Sequence, residues 1–122
     1  MTNKSSQQRT AILGPLLGSE LREWILLCLL TREEVYARAL AQELGFALLA
    51  VQRQLRALED GGVVYSRLRG RTRLYRFSPR YPFRRELEAL LNRALEALPK
   101  RERERFYTPR LRPRRAGKPL PR

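Results

Sequence analysis

Apolar residues follow a helical rhythm over residues 19–30, 38–44 and 47–60, a strand rhythm from 63 to 78, and a helical rhythm again from 83 to 98. Ser19 stands as an N-cap, with Glu20 and Glu23 following near the positive end of a helix. Leu21, Trp24, Ile25, Cys28 and Leu29 then recur at i, i+3, i+4, i+7 and i+8, which predicts a helix to about Leu30. Leu26, Leu27 and Leu30 fill the other faces. A helix apolar nearly all round must be covered on more than one side, so it is either central to the domain or also meets a partner subunit.

Residues 34–37 form a short strand candidate. A helix over about 38–44 carries Leu40, Ala41 and Leu44 on one face, and Gly45 breaks it. A further helix over 47–60 has an inward stripe of Leu48, Val51, Leu55 and Leu58, and Gly61 and Gly62 end it. Val63 to Arg69 and Arg73 to Ser78 are strands joined by a turn at Gly70, a β-hairpin. Pro79 and Pro82 mark a connection to the last helix, over about 83–98, whose stripe is Leu87, Leu90, Leu91, Ala94, Leu95 and Leu98. Pro99 stops that helix. The expected organisation is a flexible arm over 1–10, one domain over 11–98, and a disordered basic tail over 99–122. Met1 to Thr10 is polar with no hydrophobic signal region, and the longest apolar run, Trp24 to Leu30, is too short to span a bilayer. Neither secretion nor membrane insertion is expected.

Charge sharpens this picture. Lys and Arg total 26 against 12 Asp and Glu, for a net charge of +14. Folding needs no such excess, and a field of this sign attracts polyanions. Residues 11–62 are net −2, whereas 63–81 hold six Arg and no acid, and 99–122 are net +8. Arg outnumbers Lys by 23 to 3, and its planar fork grips phosphate and guanine edges. With no His and only Cys28, zinc sites and His-dependent catalysis are not expected. Cys28 reads as a buried packing residue in a reducing compartment. The acid pairs Glu33-Glu34 and Glu59-Asp60 come with no phosphate loop or second carboxylate motif, so no catalytic constellation is found and no cofactor is expected.

The order of helix, short strand, helix, Gly turn, helix, hairpin and helix is mainly α with a small β-hairpin, a winged helix-turn-helix. In that motif the second helix of the pair lies in the DNA major groove and the first braces it. The segment from Ala41 to Val64 (AQELGFALLAVQRQLRALEDGGVV) and the wing from Arg69 to Phe77 (RGRTRLYRF) resemble ArsR-like winged helix-turn-helix transcriptional regulators. The sequel from Ser78 to Leu91 resembles a branch also found attached to nucleotidyltransferase domains. The resemblance covers about residues 12–98. It implies a recognition helix over 47–60, with Gln52, Arg53, Gln54 and Arg56 as its polar residues. Gln can read adenine and Arg guanine. The metal-sensing ligand sets of that family have no counterpart here.

Members of that family often carry polar residues where Ala47, Leu48 and Leu49 stand. Leu49 has two readings, contact with a thymine methyl or burial against a neighbouring element, and burial is the expectation. Arg67, Arg69, Arg71 and Arg73 are the wing candidates for phosphate or minor-groove contact. Tyr65, Tyr75 and Phe77 alternate with them and are expected to pack across strands onto the core. Trp24, Leu27, Leu91 and Leu95 are the candidate homodimer contacts. The resulting expectation is a cytoplasmic, nucleoid-associated homodimer that binds double-stranded DNA and regulates transcription, as a repressor, without enzymatic activity. The alternatives are a sequence-tolerant architectural or chromatin protein, and an RNA-binding protein. An accessory subunit of a separate nucleotidyltransferase is a further rival.

Overall fold

A computed structural model describes residues 9–108. The chain is organised around one helix. A short α1 spans Gly14–Leu17, and α2 spans Glu20–Arg32. The Ser19 hydroxyl accepts from the Arg22 amide at 3.0 Å, the N-cap expected from sequence. From Leu21 to Leu29, every residue of α2 except Arg22 is buried. The all-round apolar surface of α2 is covered from within the chain. Helices α3 (Ala37–Leu44), α4 (Leu48–Asp60) and α5 (Arg84–Ala97) pack on it, as does strand β2 (Thr72–Phe77). Gly45, at φ 78°, takes the left-handed conformation that turns α3 into α4.

Strand β1 (Val64–Arg69) pairs antiparallel with β2, in a register from Val64↔Phe77 to Arg69↔Thr72. Gly70, at φ 63°, supplies the positive φ that the two-residue turn requires. The short strand expected over 34–37 is a single bridge: Val35 and Tyr75 exchange backbone hydrogen bonds at 3.0 and 2.8 Å. That bridge pins the root of the hairpin to the segment leading into α3. Among the described residues no helix is long and apolar enough to cross a membrane.

Two polar arrangements close the core. Glu23, on α2, is fully buried. Its carboxylate accepts from the amides of Ile12 and Leu13 at 2.9 and 2.8 Å. One charged side chain thereby takes the place of the backbone partners these amides lack. Beside it, the Trp24 indole donates to the Thr10 carbonyl at 3.2 Å and meets Phe46 edge-on at 6.0 Å. The second arrangement centres on Glu43, on α3. Arg32 donates to both its oxygens, at 2.7 and 2.5 Å, and Arg9 donates to one at 3.2 Å. Arg9 also donates to the Tyr107 hydroxyl at 3.1 Å and lies 3.9 Å over the Phe106 ring.

Several expectations are corrected here. The sequence places everything from Pro99 onward in a disordered tail. Instead Lys100–Glu102 (α6) is helical and continues as a π-helix over Arg103–Tyr107, and Tyr107 is buried. Phe106 and Tyr107 pack on the core and receive the Arg9 guanidinium over their rings, an anchorage that outweighs the charge and prolines around them. Residues 109–122, the rest of the expected tail, and 1–8, most of the expected arm, lie outside the described residues. Arg9 and Thr10 are anchored, Thr10 through Glu102 at 2.7 and 2.6 Å. Trp24, Leu27 and Leu91, the dimer contacts suggested by sequence, are covered by their own chain, and Leu95 is half-buried.

Substitution of the two acids, Glu23 fully buried and Glu43 half-buried, tests these arrangements. Glu23→Ala leaves two amides without an acceptor, and we expect a stability loss of about 2–4 kcal/mol. A chemical-denaturation midpoint within error of wild type would show that the carboxylate does not hold the N-terminal segment. For Glu43, burial works to raise the carboxyl pKa. The Arg32 hydrogen bonds and the charges of Arg32 and Arg9 outweigh it and hold the group below its ordinary 4.5. A depressed folded pKa contributes stability that is fully present above the ordinary value and lost as pH falls through the folded one. The stability gap between wild type and Glu43→Gln should therefore be constant above about pH 5 and close on further acidification. Parallel denaturation curves from neutral to strongly acid pH test this, and a gap that persists undiminished in acid would count against it.

Candidate nucleic-acid interface

Helix α4 buries Val51, Leu55 and Leu58 and so presents the opposite side of the helix outward. On that outward side lie Leu49, Arg53 and Arg56, at i, i+4 and i+7, all exposed. Gln52 and Leu48 lie on the flank facing the hairpin; Gln52 is half-buried, and both line the cleft described below. Gln54 lies on the other flank, where its side-chain oxygen accepts from Arg22 Nε at 2.7 Å. The four polar candidates of this helix are thus separated by the fold. Arg53, Arg56 and Gln52 share the accessible side, and Gln54 braces α4 against α2.

The wing candidates are separated as well. Cross-strand partners share a sheet face, so Ser66, Leu68, Arg73 and Tyr75 lie on one face, and Arg67, Arg69 and Leu74 on the other. The first face looks toward α4. Arg73 donates to the Ser66 hydroxyl at 2.9 Å, and Ser66 donates to Glu59, on α4, at 2.7 Å. Arg67, on the far face, lies 3.5 Å from Glu34, and Arg76 lies 3.9 Å from Glu33. Those acids partly neutralise the root of the wing and leave its outer part cationic.

Between α3, α4 and the hairpin runs a cleft of about 340 Å³. Its charged lining residues are Arg38, Arg56, Arg71 and Arg73, with no carboxylate among the lining residues. Gln52 and Tyr36 add polar groups. Among the described residues, these four arginines, Arg53 and Arg69 form no ion pair. Four guanidiniums line this cleft while Glu59 is reached from Arg73 through the Ser66 hydroxyl, and such a concentration of like charge sets up a potential that an anion relieves. Burial pushes the Tyr75 phenol above its ordinary range, reinforced by the charge of Glu59, so at neutral pH its hydroxyl is neutral and can donate or accept. Arg38 was missed by sequence reading because it is a lone cation in a net acidic segment. The Val35–Tyr75 bridge brings the start of α3 beside the wing.

Leu49 reverses its expectation: it is not buried but 54% exposed. Its place on α4 turns it away from the buried stripe of Val51, Leu55 and Leu58. Among the described residues no group of three or more His, Cys, Asp and Glu is arranged to hold a metal ion.

No protein-family model matches the chain, and no curated protein matches it in sequence. Solved structures do match. A MarR family transcriptional regulator from Silicibacter pomeroyi DSS-3 superposes with a TM-score of 0.50 at 22% identity. The match covers 70% of this chain and 66% of that one, so the chain spans just under two thirds of that regulator's length. ZitR of Lactococcus lactis gives a TM-score of 0.49 at 19% identity, over 75% of this chain and 81% of its own. The antimony-specific transcriptional repressor AntR gives 0.47 at 24%, over 80% and 96%. At such identities the likeness is one of fold. The chain is mainly helical with a two-stranded antiparallel hairpin, a winged helix-turn-helix.

The two glutamines on α4 should behave oppositely on substitution. Gln54→Ala removes the acceptor for Arg22, and a stability loss of about 1 kcal/mol is expected with duplex DNA affinity unchanged. Gln52→Ala should leave stability within about 0.5 kcal/mol and weaken duplex binding. Denaturation midpoints beside fluorescence-anisotropy titrations test the pair, and a loss of DNA affinity in Gln54→Ala alone would invert the assignment.

Proposed function

We propose that this chain is a transcriptional regulator that binds double-stranded DNA, with α4 in the major groove and the wing along the adjacent backbone. The observation that carries the proposal is the acid-free cleft in which Arg38, Arg56, Arg71 and Arg73 converge between α4 and the wing. A backbone phosphate placed there meets guanidiniums from three elements at once, which fixes the protein's register on the duplex without reading sequence. Arg53 projects from the middle of α4 and takes the reading role, through the bidentate geometry Arg makes with guanine. Binding is its activity, and no catalytic step is invoked.

The regulator named from Silicibacter pomeroyi shares this fold, and the proposal extends its printed role to this chain. It stands at the level of winged-helix regulators rather than of the narrower ArsR-like group that the sequence resembles. Occupying a promoter would make the chain a repressor acting in the cytoplasm, on the nucleoid. A homodimer belongs to this reading, because two-fold pairing doubles the reading surface and demands half-sites about one helical turn apart. Its contact would draw on side chains the fold leaves outside, such as Leu16 on α1 and Leu90 on α5.

The test is selection from a random duplex library at near-physiological salt, with wild type and Arg53→Ala in parallel. Wild type should enrich one pseudo-palindrome and Arg53→Ala should lose it. Arg56→Ala should instead weaken all duplexes alike and lower the slope of log K against log salt by about 1. Tight, salt-steep binding with no enriched sequence would replace the regulator by an architectural protein. Preference for structured RNA would replace it by an RNA binder.

A further inference from the structure

We infer that Leu49 reads a thymine methyl in the major groove, so that the half-site this protein prefers contains a thymine contacted by an apolar side chain. The inference rests on the regulator reading above. Leu49 belongs to the first turn of α4, a helix that begins at Leu48. The end of a recognition helix that enters the groove is its N-terminal end. Leu49 shares the outward side with Arg53, one turn further on, so whatever Arg53 meets Leu49 meets beside it. It stands exposed, although Val51 and Leu55 on the same helix are fully buried.

A single exposed leucine needs no explanation on an ordinary surface. This one stands on the surface that the arginines of α4 and the wing turn to solvent, and its outward neighbour one turn along the helix is a cation. The major groove edge offers one apolar group, the C5 methyl of thymine, and distinguishes it from all other base features. An isobutyl group cannot donate or accept, so placing it against a G·C edge desolvates a polar group without replacement. Leu49 thereby favours thymine by contact and disfavours guanine and cytosine by exclusion. With Arg53 reading guanine, the two residues one turn apart specify a mixed step rather than a run of one base type.

Uracil is the probe, because it differs from thymine by the methyl alone and keeps the pairing. The duplex recovered from the random-library selection is resynthesised with each thymine in turn replaced by uracil. Each version is titrated against the full chain and against Leu49→Ala, with thermal melts to confirm that the variant folds. Exposure of the side chain and the helix propensity of Ala keep the variant's fold intact. The expected result is one thymine per half-site at which uracil weakens wild type about fourfold, the loss of one buried methyl. The same change should leave Leu49→Ala unaffected. An enriched sequence with no uracil-sensitive thymine, or a sensitivity that survives in Leu49→Ala, overturns the inference and leaves the regulator reading intact. Selection that enriches no sequence overturns both.

Discussion

Glu43 ties together parts of the chain that are far apart in sequence. Arg32 reaches it from the end of α2 and Arg9 from the N-terminal segment, while Arg32 also donates to the Phe106 carbonyl at 3.1 Å and Arg9 to the Tyr107 hydroxyl. One carboxylate on α3 therefore sets the position of the first helix of the helix-turn-helix against both ends of the domain. The geometry matters because a desolvated carboxylate is tolerated only when its lone pairs are filled, and two guanidiniums fill them here. The burial that would otherwise neutralise the acid is offset by the same arginines. Burial also pushes the Tyr107 phenol well above its ordinary range, so it stays protonated beside Arg9.

From that anchorage the interface follows by rigid packing. Helix α2 is held at Glu43 through Arg32 and at the N-terminal segment through Glu23. Helix α4 is braced on α2 by Gln54 and by its apolar stripe. The wing is joined to α4 through Arg73, Ser66 and Glu59, and to the start of α3 by the Val35–Tyr75 bridge. Three elements are thus fixed relative to one another, and among the described residues the cleft arginines they carry form no ion pair. A cleft of unpaired cations persists because the hydrogen bonds and apolar contacts around it supply the stability that the like charges remove.

Much of the fold was legible in one dimension. The helices, the Ser19 cap, the breaks at Gly45 and Gly61, and the hairpin are local signals, and the structure has each within a residue or two, although Leu90 of the expected last stripe is exposed. Local signals also misled where distant partners governed the outcome. Lys100 to Tyr107 is charged and follows a proline, and it folds because Arg9, Arg32 and the core receive Phe106 and Tyr107. Trp24 belongs to a helix apolar nearly all round and Leu91 to the apolar stripe of an amphipathic one, both of which invite a partner subunit, and the covering came from the chain's own ends and neighbouring helices. Leu49 shares its helix with a buried stripe, yet its angular position turns it outward.

The elements, their order, the winged helix-turn-helix class and the placement of cationic charge could all be read along the chain, because periodicity, caps, turns and composition act within a few residues. Which candidates share a surface emerged only on packing. It set Gln54 apart from Arg53, divided the wing's arginines between two faces, brought Arg38 into the cleft, and turned the start of the expected tail into a buttress. The reason is physical. Helix and strand formation depend on neighbours along the chain, whereas burial, charge pairing and the direction a side chain faces depend on what packs beside it, and those partners come from up to 98 residues away.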